Sequence, residues 1–229
     1  MGLGMAKRKR GFFGWIWYVV WRLALLIVVL LLILRFLPPP TTAFMLQSPT
    51  PVTYKWVGIQ HLPAHVALAV ISSEDQRFPD HYGVDFTAIH KALTQHDEGE
   101  ELRGASTITQ QTAKNLFLWP GRSYIRKGLE AGIALGLEAL WGKKRILEVY
   151  LNIAEFGPGI YGVEAASQHY FGKTAKRLTA RQSAQLAVLL PNPKERDPNR
   201  LTPYLRERVQ WIERQMDQLG PNYLNDILK

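Results

Sequence analysis

The apolar positions of this 229-residue chain fall into two regimes. From Trp15 to Leu37 they form one block of about 23 residues, close to the roughly 20 that a helix needs to cross a hydrocarbon core. Past Leu37 they recur at three- and four-residue intervals between glycines and prolines, with few of the alternating stretches that mark strands. The pattern predicts a membrane-spanning helix, a short spacer and a mainly α-helical domain. The segments are residues 1–14, a basic N-terminus; 15–37, the span; 38–60, a proline-containing spacer and lead-in; and 61–229, the domain.

Punctuation within the domain places its helices. Pro63 can occupy the first helical position of a run through Val66, Ala69 and Val70 that ends near Glu74. Ser106 or Thr107 can cap the next helix, and Arg122 to Trp141 makes a long one closed by Gly142. Lys143 to Ile153 and Tyr161 to Phe171 follow. Thr179 and Gln182 have capping-box spacing ahead of the apolar run Ala184 to Leu190, which Pro191 stops, and Thr202 to Leu219 is an amphipathic helix before Gly220. The acidic stretch His96 to Arg103 reads as a solvated loop.

Charge sharpens the reading of the span. Lys7-Arg8-Lys9-Arg10 precede it, which by the positive-inside tendency keeps the N-terminus cytoplasmic and sends the domain across. Arg22 interrupts the block and Arg35 closes it, so both must snorkel toward headgroups. A removed signal peptide cut near Thr41 and Ala43 is the competing reading; the length of the block and Pro38-Pro39-Pro40 directly after it favour an anchor. Six bases and no acid lie in the first 35 residues, so most of the net charge of +9 belongs to the anchor and the domain is only mildly basic. No basic stripe interleaved with aromatics points to nucleic acid. The absence of cysteine excludes thiolate chemistry and disulfides.

Candidate chemistry sits in two stretches, Ser73 to Asp85 and Gly104 to Asn115. Glu74 follows an apolar helix face and precedes Asp75, a pair whose environments can differ enough to raise the pKa of one for proton transfer. His81 is expected to orient the surrounding loop and Asp85 to cap a helix. On a helix starting near Ser106, Thr107, Gln111 and Lys114 fall at i, i+4 and i+7 and share a face offering a hydroxyl, an amide and a cation. Ile108, Thr112 and Asn115 occupy the other side. Such a polar face suits a pyrophosphate carrying sugars. Arg122, Arg126 and Glu130 repeat the spacing at i, i+4 and i+8, and Gly128 and Gly132 beside them predict a close approach to that helix.

Ser73 to Asp85, Gly104 to Asn115, Arg126-Lys127-Gly128-Leu129-Glu130, Lys144 to Ser167 and Leu189-Leu190-Pro191-Asn192-Pro193 together resemble, in order, the five motifs of the peptidoglycan glycosyltransferases. The resemblance implies a lysozyme-like helical glycosyltransferase domain that polymerises lipid II, passing the strand held on undecaprenyl pyrophosphate to the 4-hydroxyl of N-acetylglucosamine with inversion. It makes Glu74 and Glu130 the catalytic carboxylates, with Asp75, Ser106, Thr107, Gln111, Lys114, Asn115, Arg122 and Arg126 as substrate-binding residues. Lys114, Arg122 and Arg126 would hold the pyrophosphate, and Glu130 would orient them or, with a divalent metal present, help coordinate it. It implies no required cofactor, a divalent cation (magnesium or manganese) as an optional stimulant, and lipid II, nascent glycan, membrane lipid and other cell-wall synthesis or division proteins as partners, at the periplasmic face of a bacterial inner membrane. Glu148 and Asn152 are expected to brace the cleft floor. No Ser-x-x-Lys or Lys-Thr-Gly motif suggests a transpeptidase. A lytic muramidase on the same fold and a catalytically silent scaffold are the rivals; the cations of the second and third motifs argue against the first, the intact Glu74, Lys114 and Glu130 against the second. Phe117-Leu118-Trp119-Pro120 either dips into the membrane interface or forms a buried turn.

Overall fold

The computed structural model describes residues 12–88, 90, 106–121, 123–220 and 222–228. It separates into two compact units, Met1–Leu37 and Pro38–Lys229.

The first contains α1 (Phe12–Leu34), 23 residues and about 34 Å long at 1.5 Å per residue, enough to cross a membrane. It begins three residues before the expected span and stops before Arg35. The apolar Phe12 and Phe13 extend its start, while the prolines from Pro38 disfavour helical backbone just ahead of them. The Arg22 guanidinium lies 4.9 Å from the Tyr18 ring centre, one turn back toward the helix N-terminus.

The second unit is mainly helical. After α2 (Ala43–Leu46), capped by the Thr42 hydroxyl, come β1 (Thr53–Tyr54), a 3₁₀ turn (Ile59–His61) and α3 (Ala64–Glu74). Then follow α4 (Ile108–Phe117), α5 (Tyr124–Leu140), α6 (Lys143–Ile153), β2 (Glu155–Gly157), β3 (Ile160–Tyr161), α7 (Val163–Phe171), a 3₁₀ turn (Ala175–Arg177), α8 (Ala180–Ala187), α9 (Pro203–Leu219) and α10 (Asn225–Leu228). Residues Val66 to Ser72 of α3 are buried on every side, so this helix is the axis on which α8 and α9 pack. The second packing group is α4 against α5 and α6. The catalytic candidates lie where the C-terminal end of α3 meets the N-terminal end of α4.

Local chemistry explains the helix ends. Thr107 and Thr179 each form a full capping box, with Gln110 and Gln182. Pro63 stands at the N-cap of α3, one position before the expected one, and Ser123 caps α5. Gly142 closes no helix in the left-handed conformation; it is the N-cap of α6. On α9 the buried residues Leu205, Val209, Ile212 and Met216 trace the expected amphipathic face. The helix expected from Tyr161 begins at Val163, because Ile160–Tyr161 instead joins a small sheet ordered β1-β3-β2, parallel to β1 and antiparallel to β2. The turn into α7 runs through Gly162 at φ +85°, where a Cβ would collide with the Asn152 carbonyl.

Two further expectations change. A Cβ at Gly128 or Gly132 would meet nothing within 4 Å, so no described part of the chain makes the predicted close approach to α5. Glu148 and Asn152 brace the lead-in segment: Asn152 exchanges two hydrogen bonds of 2.8 Å with the Val57 backbone, and Glu148 accepts from the Ile59 N–H at 3.0 Å. The 117–120 turn divides, with Leu118 buried and Trp119 and Pro120 exposed. The stretch His96 to Arg103 lies outside the described residues.

Gly162→Ala should cost on the order of 2–4 kcal/mol, from left-handed strain plus the clash with Asn152. Chemical denaturation of both proteins in one detergent checks this; equal midpoints would refute it.

Candidate active site

Glu74 is the last residue of α3, and the chain turns away at Asp75. Asp75 is buried; its carboxylate accepts from His81 Nε2 at 2.9 and 3.0 Å and from the Ile108 N–H at 2.9 Å. It thereby places a carboxylate at the N-terminus of α4, where free amides and the helix dipole favour one. The His81 carbonyl is held in turn by Lys143 Nζ at 2.6 Å, and Lys143 also binds Glu138, itself bonded to the Thr109 hydroxyl. His81 therefore secures the loop, as expected, by tying it to Asp75. Asp85 accepts from the Ala88 N–H and from Arg77.

Thr107 shares its helical face with Gln111 and Lys114, but its position at the cap folds its side chain inward. Its hydroxyl donates to the Gly83 carbonyl at 2.6 Å and accepts from the Gln110 N–H. The next two residues of that face point into the site. Gln111 Nε2 donates to Glu74 Oε2 at 3.0 Å, and Gln111 Oε1 accepts from the Tyr150 hydroxyl at 2.9 Å. Ser73 Oγ donates to the other Glu74 oxygen at 3.2 Å. Burial among these groups pushes the Glu74 carboxyl above its usual range; the Gln111 and Ser73 hydrogen bonds and the charges of Arg208 and Lys114 pull it only part of the way back.

Lys114 lies one turn beyond Gln111. Burial lowers its pKa, opposed by Glu130, and its Nζ sits 5.4 Å from the centre of the Phe44 ring. Among the described residues it has no hydrogen bond or ion pair. Asn115 is buried beside it. Gln111, Lys114, Asn115, Tyr150, Phe44 and Glu155 line a cavity of about 270 Å³, with Pro191, Asn192 and Pro193 of the fifth motif on its rim. Glu74 lines a second cavity of about 220 Å³ with Asp75, Ser106 and Thr107. The Glu74–Gln111 hydrogen bond joins the two.

On α5, Glu130 is 2% exposed and accepts from Lys127 Nζ at 2.6 Å and from Arg126 Nη1 at 3.4 Å. Lys127 also donates to Ser106 Oγ at 2.7 Å, which fastens α5 to the start of α4. Arg126 Nε is buried without a partner among the described residues. Arg122 lies outside the described residues. No three Asp, Glu or His side chains come together among the described residues, and both Glu130 oxygens are engaged by cations, so this donor set does not build a divalent-metal site. The structure adds four residues that sequence reasoning passed over as site members: Lys127, Tyr150, Phe44 and Arg208. Lys127 carried a local signal in its i, i+3 spacing to Glu130, and Tyr150 lies within the fourth motif without a role read for it there.

Folding binds the Glu74 proton more tightly than the unfolded chain does. This group therefore favours the fold below the ordinary carboxylate range, and the advantage is lost as pH rises through the raised value. Glu74→Gln should accordingly raise the thermal midpoint at neutral pH, with the gain shrinking on acidification. A lower midpoint across the whole range would contradict that environment for Glu74.

Residues 43–217 match the sequence profile of the family described as Transglycosylase. The biosynthetic peptidoglycan transglycosylase of Marinomonas sp. (strain MWYL1) is 71% identical over 225 residues, covering 98% of this chain and 100% of its own. The protein of that name from Shewanella frigidimarina (strain NCIMB 400) is 68% identical over 224 residues, 98% and 99% of the two chains, and that from Cronobacter sakazakii (strain ATCC BAA-894) is 56% identical over 165 residues, 72% and 68%. With the profile match spanning most of the helical unit and the relatives matching at 56–71% identity, the chain belongs to the transglycosylase family.

Proposed function

We propose that this chain is a peptidoglycan glycosyltransferase that polymerises lipid II into glycan strands. The observation that carries the reading is that Glu74, a carboxyl with raised pKa at the end of α3, is bonded by Gln111 of α4, one turn before Lys114, an ammonium that has no anion of its own among the described residues. A partly buried cation without a counter-ion carries a desolvation cost, and a pyrophosphate entering the cavity would supply one.

In this reading the 4-hydroxyl of the N-acetylglucosamine of lipid II lies against Glu74. The carboxylate takes its proton as the oxygen attacks the anomeric carbon of the donor strand from the face opposite the pyrophosphate, giving inversion. The proton rests on Glu74 while the bond to the undecaprenyl pyrophosphate breaks. Lys114 and Arg126, with Arg122, take up the charge that grows on the leaving oxygens, and Asn115 supplies an amide to the donor side. Glu130 holds Arg126 and Lys127 in place, and Asp75 and Thr107 serve by fixing the start of α4. Helix α1 would be a single-pass anchor with the N-terminus cytoplasmic and the cleft on the periplasmic side, where the acceptor and donor stay attached to the same bilayer.

Incubation of the detergent-solubilised chain with labelled lipid II should give a muramidase-sensitive ladder on a gel, absent with Glu74→Gln. Cleavage of preformed glycan without any ladder would turn the reading to a lytic enzyme. The rate should rise with pH as Glu74 ionises above the ordinary carboxylate range and fall as Lys114 loses its proton below the ordinary lysine range, so both limbs of the profile move inward. A profile flat between the two ordinary ranges would contradict both assignments. Lys114→Ala should weaken binding of a short polyprenyl pyrophosphate by about ten- to a hundredfold, the worth of a charged hydrogen bond. Equal affinities by calorimetry would mean that Lys114 is merely solvated.

A further inference from the structure

A glutamine side chain is two-ended, with a donor nitrogen and an acceptor oxygen that can exchange places by a half-turn of the amide. Gln111 sits between two partners, Glu74 Oε2 at 3.0 Å and the Tyr150 hydroxyl at 2.9 Å. Only Nε2 can usefully face an ionised carboxylate, which leaves Oε1 directed toward α6. There Tyr150, 1% exposed, supplies a donor. Without that hydroxyl, the orientation that serves Glu74 would leave the Gln111 carbonyl oxygen without its protein donor, and nothing would then fix which end of the amide faces Glu74.

We propose that Tyr150 is a positioning residue for the reaction: its hydroxyl fixes the Gln111 amide so that Nε2 points at Glu74 and supports the ionised, proton-accepting form. This rests on the reading of Glu74 as the base. Two donors in line, Tyr150 O–H to Gln111 and Gln111 N–H to Glu74, point their dipoles at the carboxylate and reinforce each other. Burial, with the charges of Glu74 and Asp75, keeps the phenol protonated far beyond the working range, so it remains a donor throughout. The other groups that face Glu74 are Ser73 and Asp75 beside it, Lys114 on α4 and Arg208 on α9. None of them is altered by removing the Tyr150 hydroxyl, and the aromatic ring can stay in place.

The test is steady-state polymerisation by the full chain in detergent, with labelled lipid II, across pH. Tyr150→Phe should lower kcat about tenfold with KM little changed, and should move the acid limb of the kcat profile to higher pH. Gln111→Met, of similar volume and unable to bridge the two groups, should show the same displacement of the limb, and the double variant should be no worse than Gln111→Met alone. A wild-type kcat and acid limb in Tyr150→Phe, or losses that multiply in the double variant, would overturn the proposal. Should Tyr150→Phe fail to fold, Gln111→Met decides: an unmoved limb overturns the proposal and a raised one supports it. Polymer from the wild-type chain with no shift in the variants removes only this inference, whereas no polymer from the wild type removes the base reading and this inference with it.

Discussion

The site depends on the Asp75 carboxylate more than on any other single group. It receives His81 from the loop after α3 and the Ile108 N–H at the start of α4, so one buried side chain fixes the distance and angle between the two helices that carry the chemistry. Glu74 then meets Gln111 as a consequence of that junction. The surrounding bonds repeat the same task from further out: Thr107 to Gly83, Lys143 to His81, and Lys127 to Ser106 all tie the beginning of α4 to its neighbours. Chemical precision at a cleft requires rigid support, and here it comes from polar groups that are largely spent on one another.

Against that rigid background the unspent groups stand out. Lys114 and Arg126 Nε lie in or near the cleft without an anion or acceptor among the described residues, while Glu74 is held where ionisation is disfavoured. The protein thus maintains two unfavourable charge states on adjoining helices, at Glu74 of α3 and Lys114 of α4. Each becomes favourable when substrate arrives, the ammonium by gaining phosphate and the carboxylate by gaining a proton. Stability is lost at such positions and recovered in the core around α3 and α6, where apolar burial is nearly complete.

Most helices were legible because their ends are written in local chemistry: Thr107, Thr179 and Thr202 as caps, Gly172 and Gly220 as left-handed or positive-φ stops. The arrival of Glu74 at the end of α3 followed from the apolar run before it. The small sheet was not legible, since strands of two and three residues interrupted by Gly157, Pro158 and Gly159 have no alternating pattern to detect. The glycines of α5 misled for a related reason, because a missing side chain permits a close approach without requiring one. Within the site, the shared face of Gln111 and Lys114 could be read from helical spacing, but the inward turn of Thr107 could not. Tyr150 and Arg208 arrive from distant helices, and nothing in their local sequence marks them as neighbours of Glu74.

The most direct measurement is the titration of the Glu74 carboxyl itself, by carbon-detected NMR on the detergent-solubilised chain labelled at glutamate and assigned by comparison with Glu74→Gln. A midpoint clearly above the ordinary glutamate range in the unliganded chain, rising further in Gln111→Met, is the predicted result. A midpoint at or below the ordinary range would contradict the account, because a carboxylate that ionises as easily as in water has neither the desolvated setting nor the proton affinity assigned to Glu74.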